Sequence, residues 1–301
     1  MIMKEQFDLH NDLVELRDKV IIVTGGNRGT GLATVKHLAQ AGATVYMAAR
    51  SESKALAAID KLNEKGLQPG NGQVKYLKFD LSDPREAKKA ANAFMEKEKR
   101  LDVLINNAGI LSGPFEKNAD GKIAFNSPIP LDSYISPFVF TQTLLPLLTS
   151  TAHEVGLDVR IVNCEIYANQ RSQPHSKLLD ILWTRALQKQ FNSASPPIPV
   201  VAMAIHPGGV DTFSQNWPLP WFWKPIVALA INNPEHGSYT SVFAAAAKIV
   251  RDEKEKYKGV YLDNKPVGRI DVPSKAARDD QLADDLWSLT ERLLREVGVK
   301  Q

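Results

Sequence analysis

Short runs of apolar and β-branched residues alternate along the chain with longer stretches whose apolar positions recur at helical spacing. The short runs predict strands over Val20–Thr24, Thr44–Met47, Val74–Phe79, Val103–Ile105, Arg160–Val162 and Val200–Ala204. The longer stretches predict helices over Gly31–Gln40, Lys54–Glu64, Pro84–Lys99, Ser133–Thr149, Ser176–Phe191 and Glu235–Asp252. Because each strand precedes a helix and lacks polar alternation, the pattern predicts a doubly wound parallel sheet flanked by helices on both faces, an α/β fold of the Rossmann type.

The domain organisation follows from length and connections. A chain of 301 residues with 44% hydrophobic content could form one large domain or two small ones. No internal repeat or low-complexity linker divides it, so we expect a single domain over 1–301, with 1–18 as an N-terminal extension. Two connections are long, Gly109–Leu131 and Val210–Asn233. Such loops are more often functional than ordinary connections, so we expect them to wall a ligand cleft; surface insertions are the alternative.

Charge and cysteine content exclude several classes of protein. The net charge of +3 is spread among interspersed acids and bases, so nucleic acid is not an implied partner. The single cysteine, Cys164, allows no intrachain disulfide, and the acidic start of the chain lacks signal-peptide features. We therefore expect a reducing, cytoplasmic location. The most apolar stretch, Trp217–Ile231, is interrupted by prolines and is shorter than the ~20 residues of a membrane span, which leaves peripheral membrane contact open.

A glycine-rich segment, TGGNRGTG, follows the first predicted strand and leads into a predicted helix. Its Gly25, Gly29 and Gly31 would let the backbone approach a pyrophosphate, and the helix N-terminus would supply unpaired N–H groups. The strand before it and the helix after it are the context that this motif requires. The segment therefore predicts a dinucleotide site, with a tight turn that binds nothing as the alternative.

The end of the second strand indicates which dinucleotide is bound. A fold that prefers NAD usually places an acidic residue there to accept the ribose 2′-hydroxyl, but this chain has Ala48, Ala49 and Arg50. Arg50, and Arg28 in the glycine loop, could pair with a 2′-phosphate through charge-assisted hydrogen bonds. The sequence therefore predicts NADP(H) rather than NAD(H), unless both arginines are solvated surface charges.

Further motifs resemble one known family over nearly the whole chain. They are FDLS with Asp80, NNAG at Asn106–Gly109, TLLPLL at Thr143–Leu148 and HPGGVDT at His206–Thr212. With TGGNRGTG they resemble the short-chain dehydrogenases/reductases, and the C-terminal segments look like the retinol-dehydrogenase-like branch. Together with the two arginines, the resemblance implies cofactor contacts from Gly25, Asn27, Arg28, Gly29, Thr30, Gly31, Arg50, Asp80, Leu81, Asn107, Ala108, Gly109, Lys177, Pro207, Gly208, Val210 and Thr212. It implies no metal site.

The catalytic positions of that family are largely replaced. The family uses an Asn, a Ser, a Tyr and a Lys; the tyrosine transfers a proton, and the lysine lowers its pKa and holds the nicotinamide ribose. The resemblance makes Lys177 the lysine but puts Gln173 in the place of the tyrosine, Ile166 in that of the serine and Ser133 in that of the asparagine. A glutamine amide does not titrate in the useful range, and losing a general acid typically costs ~10²–10⁴ in rate.

Three nearby residues could restore proton transfer. Tyr167 lies ten residues before Lys177 instead of four, so its loop would have to fold back into the site. Glu165 could act as an acid or base if burial raised its pKa, or it could be an exposed carboxylate or a partner of Lys177. His175, two residues from Lys177, should point to another helix face. The catalytic candidates are therefore Lys177, Tyr167 and Glu165.

The second long loop, expected as a substrate lid over 210–233, carries several aromatic residues: Trp217, Trp221, Phe222 and Trp223. Large rigid rings suit an apolar ligand, while a membrane surface, a homo-oligomer contact or core packing are alternatives. The leading hypothesis is an NADP(H)-binding oxidoreductase acting on an apolar carbonyl or alcohol through a non-standard active site. The alternatives are a repurposed enzyme for a non-redox step, such as a cyclisation or isomerisation, and a noncatalytic NADP(H)-binding protein.

Overall fold

A computed structural model describes residues 7–109, 131–154, 158–164, 173–208, 234–296 and 298–299, with the backbone alone for 131–133 and 173–177. The strands in this part of the chain are β1 Val20–Thr24, β2 Thr44–Ala49, β3 Gln73–Lys78, β4 Val103–Asn106, β5 Val159–Cys164, β6 Val200–Ile205, β7 Tyr261–Asn264 and β8 Val267–Asp271. The α-helices are α1 Gly29–Gln40, α2 Glu52–Lys65, α3 Pro84–Lys97, α4 Leu131–Glu154, α5 Gln173–Ser193, α6 Pro234–Ala246, α7 Lys248–Asp252, α8 Lys254–Tyr257 and α9 Asp280–Glu296.

The strands form one sheet in the order β3-β2-β1-β4-β5-β6-β7-β8. The strands from β3 to β7 run parallel, and β8 pairs antiparallel with β7. The order reverses between β1 and β4, where the chain crosses from one half of the sheet to the other. In sheets of this kind ligands bind outside the carboxyl ends of the strands at that reversal, and the glycine-rich turn after β1 lies there.

Helices cover both faces of the sheet, as the sequence predicts. One apolar cluster joins a face of the sheet to α1, α2 and α6 and includes Val35, Ile59 and Val242. The cluster on the other face joins it to α3, α4 and α5 and includes Phe94, Leu144 and Leu187. The predicted Rossmann-type fold is confirmed. Within the described residues, no helix is long and apolar enough to cross a membrane.

Two details of the predicted pattern are wrong. The edge strand β3 is not covered on both faces, since its residues alternate between exposed and more buried positions. The single helix expected over Glu235–Asp252 is two helices, because Ala247 has an extended backbone (φ −66°, ψ 138°).

Hydrogen bonds from distant segments explain this break. Val14 donates its N–H to the carbonyl of Ala246 at 2.8 Å, and the buried Arg160 guanidinium donates to the carbonyls of Ala244 and Ala247 at 3.0 Å each. Lys248 in turn donates its N–H to the carbonyl of Asp12. The described part of the N-terminal extension is therefore packed into the domain rather than trailing from it.

The last helix, α9, packs outside α4 and α5. Tyr134 on α4 shares a 2.9 Å hydrogen bond with Thr290, and the Trp287 ring meets Phe138 edge-on at 4.8 Å. Ion pairs on the surface of α5 complete the contact, Arg185 with Asp280 and Lys189 with Asp284. The start of α4 is thereby held between α5 and α9.

Candidate functional site

The glycine-rich turn after β1 has the backbone shape that only glycine adopts easily. Gly25 has φ +67° and Gly29 has φ +55°, both in the left-handed region. A Cβ added to Gly31 would stand 2.4 Å from the carbonyl oxygen of Gly25 and 2.5 Å from the Asn107 Nδ2. The turn therefore closes tightly on itself and on the segment after β4.

Thr24, at the end of β1, hydrogen-bonds the start of the glycine turn to the segment after β4. Its Oγ1 accepts hydrogen bonds from the N–H groups of Asn107 and Ala108, each at 2.9 Å. The Asn107 amide donates back to the Thr24 carbonyl at 2.8 Å. The Asn107 side chain thus holds the loop in shape, a structural role that the motif alone does not reveal.

The start of α1 is open to an anion. Its N-cap residue, Arg28, makes no side-chain capping bond, and the first turn contains no acidic residue. No acidic side chain of the first turn therefore offsets the positive end of the helix dipole, as the binding of a pyrophosphate would require. Arg50 directly follows β2 at the same edge of the sheet; both arginines are exposed, and neither pairs with a carboxylate within the described residues. These groups fit the phosphates of a nicotinamide dinucleotide.

Other predicted cofactor residues lie along the same edge. Asp80 follows β3 and accepts a hydrogen bond from the Ser82 N–H at 3.0 Å, and the carbonyl of Leu81 accepts one from Ser136 on α4. The remaining described members occur in the glycine turn, after β4 or after β6: Asn27, Thr30, Gly109, Pro207 and Gly208. Val210 and Thr212 lie outside the described residues, as does all of the expected lid over 210–233 with its aromatic residues Trp217, Trp221, Phe222 and Trp223.

The expected catalytic positions belong to the start of α4, the segment after β5 and the start of α5. Helix α5 begins at Gln173, so Gln173 and Lys177 stand one turn apart on it, as the resemblance implies. Ser133 lies in the first turn of α4, next to the buried Tyr134. Glu165, Ile166 and Tyr167, which follow β5, lie outside the described residues; the side chains of Ser133, Gln173, His175 and Lys177 do too. Their catalytic roles stay predictions.

A buried chain of polar groups ties these elements together. The Asn106 amide donates to the Oγ1 of Thr141 at 3.0 Å and to the Oδ1 of Asn163 at 2.9 Å. Asn163 donates to the Oγ1 of Thr184 at 2.9 Å, and Thr184 donates to the carbonyl of Asp180 at 2.7 Å. The chain runs from α4 through β4 and β5 to α5 and fixes their relative positions beneath the site. Its sequence signal is weak: single polar residues at the ends of apolar strands.

Two buried titratable groups near this polar chain, Asp180 and Tyr134, were not predicted from the sequence. Asp180, one turn after Lys177 on α5, has 6% of its surface exposed. Tyr134 is buried beside it, and burial raises the pKa of its hydroxyl, with a further contribution from the charge of Asp180. Cys164 at the end of β5 is no reactive thiol, because burial raises its pKa to about 12.

Comparison with known proteins agrees with this geometry. The family model for short chain dehydrogenases matches residues 19–217. A short-chain dehydrogenase/reductase of Armillaria gallica is 37% identical, with 95% of this chain and 96% of that protein covered. Retinol dehydrogenase 11 of Homo sapiens is 32% identical over 93% of this chain and 87% of that protein.

A solved structure shows the same fold. The RhlG/NADP active-site complex of Pseudomonas aeruginosa superimposes with a TM-score of 0.62 at 22% identity, over 83% of this chain and 95% of that one. The glycine turn, the sheet order and the sequence relatives lead to one conclusion: the chain belongs to the short-chain dehydrogenase/reductase family, as a retinol-dehydrogenase-like member.

Proposed function

We propose that this protein binds NADP(H) and uses it to reduce an apolar carbonyl compound or oxidise the corresponding alcohol, with an active site that lacks the family's tyrosine. The observation that carries the proposal is the arrangement of the glycine turn, the start of α1 and two arginines at the ends of β1 and β2. There the uncapped start of α1 lies beside a glycine turn locked against the segment after β4. Arg28 and Arg50 add positive charge where a 2′-phosphate would lie.

The chemistry of the residues present assigns a role to each part of the proposed site. When bound, the dinucleotide would supply the hydride in a reduction and accept it in an oxidation. The helix N-terminus and the two arginines hold its phosphates, and Lys177 holds the nicotinamide ribose, as the family resemblance implies. The Gln173 amide can donate a hydrogen bond to the substrate oxygen and orient it, but it cannot release a proton. In a reduction, the proton for the substrate oxygen comes from Tyr167, Glu165 or a water molecule.

The nucleotide site is tested by titrating the purified protein with NADPH and with NADH while nicotinamide fluorescence is followed. We expect saturable binding that prefers NADPH. Arg50→Ala should weaken NADPH binding about tenfold to a hundredfold, since a hydrogen bond to a charged group contributes ~1.5–3 kcal/mol, and should leave NADH binding nearly unchanged. Lys61→Ala removes an exposed cation further along α2 and serves as the matched control. Equal affinity for both nucleotides in the wild type and in Arg50→Ala contradicts the NADP(H) assignment.

Redox chemistry needs a separate test, because nucleotide binding alone does not establish turnover. We expect NADPH absorbance to fall when bulky apolar aldehydes or ketones are added. The double variant Gln173→Tyr with Ile166→Ser restores two groups of the family and should raise the rate by a factor of ~10² or more. Product without any absorbance change would instead indicate a non-redox enzyme. Saturable binding with no product, in the wild type and in the double variant, would indicate a noncatalytic protein.

A further inference from the structure

Helix α9 carries two stripes of mostly apolar residues, although one would hold it in place. The inner stripe packs on α4 and α5 and has spacings of four, three and four residues: Ala283, Trp287, Thr290 and Leu294. The outer stripe repeats this spacing one residue earlier and consists of leucines alone: Leu282, Leu286, Leu289 and Leu293. An apolar arc about 100° wide is enough to seat a helix on its domain, so the outer stripe is surplus to that packing.

The outer stripe is partly open to solvent. Leu286 and Leu293 are partly buried against the clusters around α4 and α5. Leu282 and Leu289 have 37% and 41% of their surface exposed and stand seven residues apart, about two turns of one helix face. Within the described residues, the other large apolar side chains exposed to this degree are scattered over α2, α7 and the end of the sheet: Leu56, Ile249, Ile270 and Val272. The leucines of α9 therefore form a continuous strip, unlike single exposed apolar residues, which are common on surfaces.

Two charges beside the outer stripe have no ion-pair partner among the described residues. The acidic residues of α9 that face α5 are paired with it. On the opposite side, helical geometry places Asp285 and Arg292 along the outer stripe, seven residues apart and both exposed. Asp285 accepts a hydrogen bond from Gln281 on its own helix, and neither charge forms an ion pair within the described residues. The outer stripe thus has an acidic flank in its first half and a basic flank in its second.

We propose that the outer stripe is the contact surface of a homodimer, in which α9 pairs antiparallel with α9 of a second copy across a twofold axis. A twofold contact joins the same patch on both copies, so the patch must complement itself. The leucines do so, because Leu286 then faces Leu289 of the second copy and Leu282 faces Leu293. The spacing of four and three residues is the one that lets two helices interdigitate side by side.

The flanking charges select the antiparallel orientation. In it, Asp285 of each copy meets Arg292 of the other, so each unpaired charge gains an opposite one. A parallel pair would set Asp285 against Asp285 and Arg292 against Arg292. The apolar contact stops at Asp279 and Glu296, two acidic residues that continue the spacing of the stripe at its two ends. Two helices about 25 Å long form a small interface, so we expect a Kd on the order of micromolar.

Analytical ultracentrifugation of the full chain without nucleotide, from about 1 to 500 μM, tests the pairing. We expect the average mass to rise with concentration from one chain toward two. Leu282→Glu combined with Leu289→Glu should give a monomer throughout, because it places four carboxylates in the contact. Leu56→Glu combined with Ile249→Glu is the matched control: it makes the same change at two exposed apolar residues outside α9 and should dimerise like the wild type.

Charge variants test the orientation without disturbing the leucines. Asp285→Arg should raise the Kd about twofold to thirtyfold, since the twofold axis repeats the lost ion pair and each exposed pair contributes ~0.2–1 kcal/mol. Adding Arg292→Asp to it exchanges the two charges and should restore the wild-type Kd. Glu296→Lys should lower the Kd, because the new cation would face Asp279 of the second copy. Thermal unfolding shows that each variant is folded.

A wild type that stays monomeric over the whole range overturns the proposal. So does a dimer that persists in the folded leucine variant, or one that the control variant weakens equally, because the contact then lies elsewhere. A dimer whose Kd is the same in Asp285→Arg, Glu296→Lys and the wild type overturns the antiparallel pairing. A monomer that floats with phosphatidylcholine vesicles, and no longer does so in the leucine variant, would make the outer stripe a membrane contact and also overturn the dimer.

Discussion

At the scale of single residues, Gly31 is the position where one added methyl group should weaken nucleotide binding in a protein that still folds. In Gly31→Ala the new methyl group would stand 2.4 Å from the Gly25 carbonyl oxygen and 2.5 Å from the Asn107 amide, so the turn must open. Overpacking of this kind costs ~1–3 kcal/mol. We expect NADPH affinity to fall about tenfold or more, because the displaced turn can no longer approach the pyrophosphate. Nicotinamide fluorescence gives the affinity, and thermal unfolding gives the stability.

Gly66→Ala is the control for this effect. Gly66 ends α2 with φ +79° and has no atom within 4 Å of the added methyl group, so the change strains one residue without a clash. It should cost ~1–3 kcal/mol of stability, since the backbone angles of Gly66 (φ 79°, ψ 150°) are nearly restricted to glycine, and leave NADPH affinity unchanged. If both variants bind NADPH like the wild type, the glycine turn does not hold the nucleotide.

The sequence indicates the glycine turn much more clearly than the buried polar chain below the catalytic positions. The glycine turn is encoded locally, in eight consecutive residues flanked by a strand and a helix, so its position and conformation could be predicted. The polar chain below the catalytic positions depends on partners far apart: Asn106 with Asn163 across 57 residues, and Asn163 with Thr184 across 21. No local pattern links such residues. Asp180 was missed for the same reason, since it is buried near groups far away in the sequence, Tyr134 on α4 and Cys164 on β5.

At the scale of elements, the contact between α1 and α6 should make stability depend on pH. His37 on α1 has 10% of its side chain exposed, and its Nε2 lies 3.0 Å from the Glu235 carboxylate on α6. Burial lowers the pKa of His37 below its ordinary value of 6.5, and the Glu235 charge only partly opposes this. The unfolded chain therefore binds more protons than the folded protein as the pH falls through about 6.5, so acidification through this range costs stability.

We expect the melting temperature of the wild type to fall between about pH 7.5 and pH 5.5, and to fall less in His37→Gln, which has no imidazole at this contact. His236→Gln is the control, because His236 is exposed on the same helix as Glu235. Thermal unfolding at several pH values measures all three proteins. The same pH dependence in His37→Gln and the wild type would show that the contact does not titrate as described.

Helices and strands could be predicted where a continuous apolar core covers them. The strands β1, β2 and β4 to β6 are apolar runs buried on both faces, and each was predicted to within a few residues. The pair β7 and β8 was not, because the strands have only four and five residues and are only partly buried. The break at Ala247 could not be predicted either. It exists because Val14 and Arg160, distant in sequence, hydrogen-bond to the carbonyls that would have continued the helix.

At the scale of the whole molecule, the described residues form a continuous structure. The sheet runs without interruption from β3 to β8, and the N-terminal segment hydrogen-bonds to residues on both sides of the Ala247 break. Helix α9 packs across α4 and α5. Because every part shares this core, we expect the single domain predicted from the sequence to unfold in one cooperative transition, which calorimetry can measure.

NADPH should raise the temperature of that whole transition. At a free concentration of about one hundred times Kd, a ligand that binds only the folded state stabilises it by ~2.7 kcal/mol. With an unfolding entropy of ~2.1 cal/mol/K per residue, this corresponds to about 4 °C for a chain of 301 residues. Arg50→Ala at the same NADPH concentration should lose most of this increase. Two transitions, with NADPH raising only one, would instead mean that the nucleotide site and the C-terminal part of the sheet unfold separately and that the chain contains two domains.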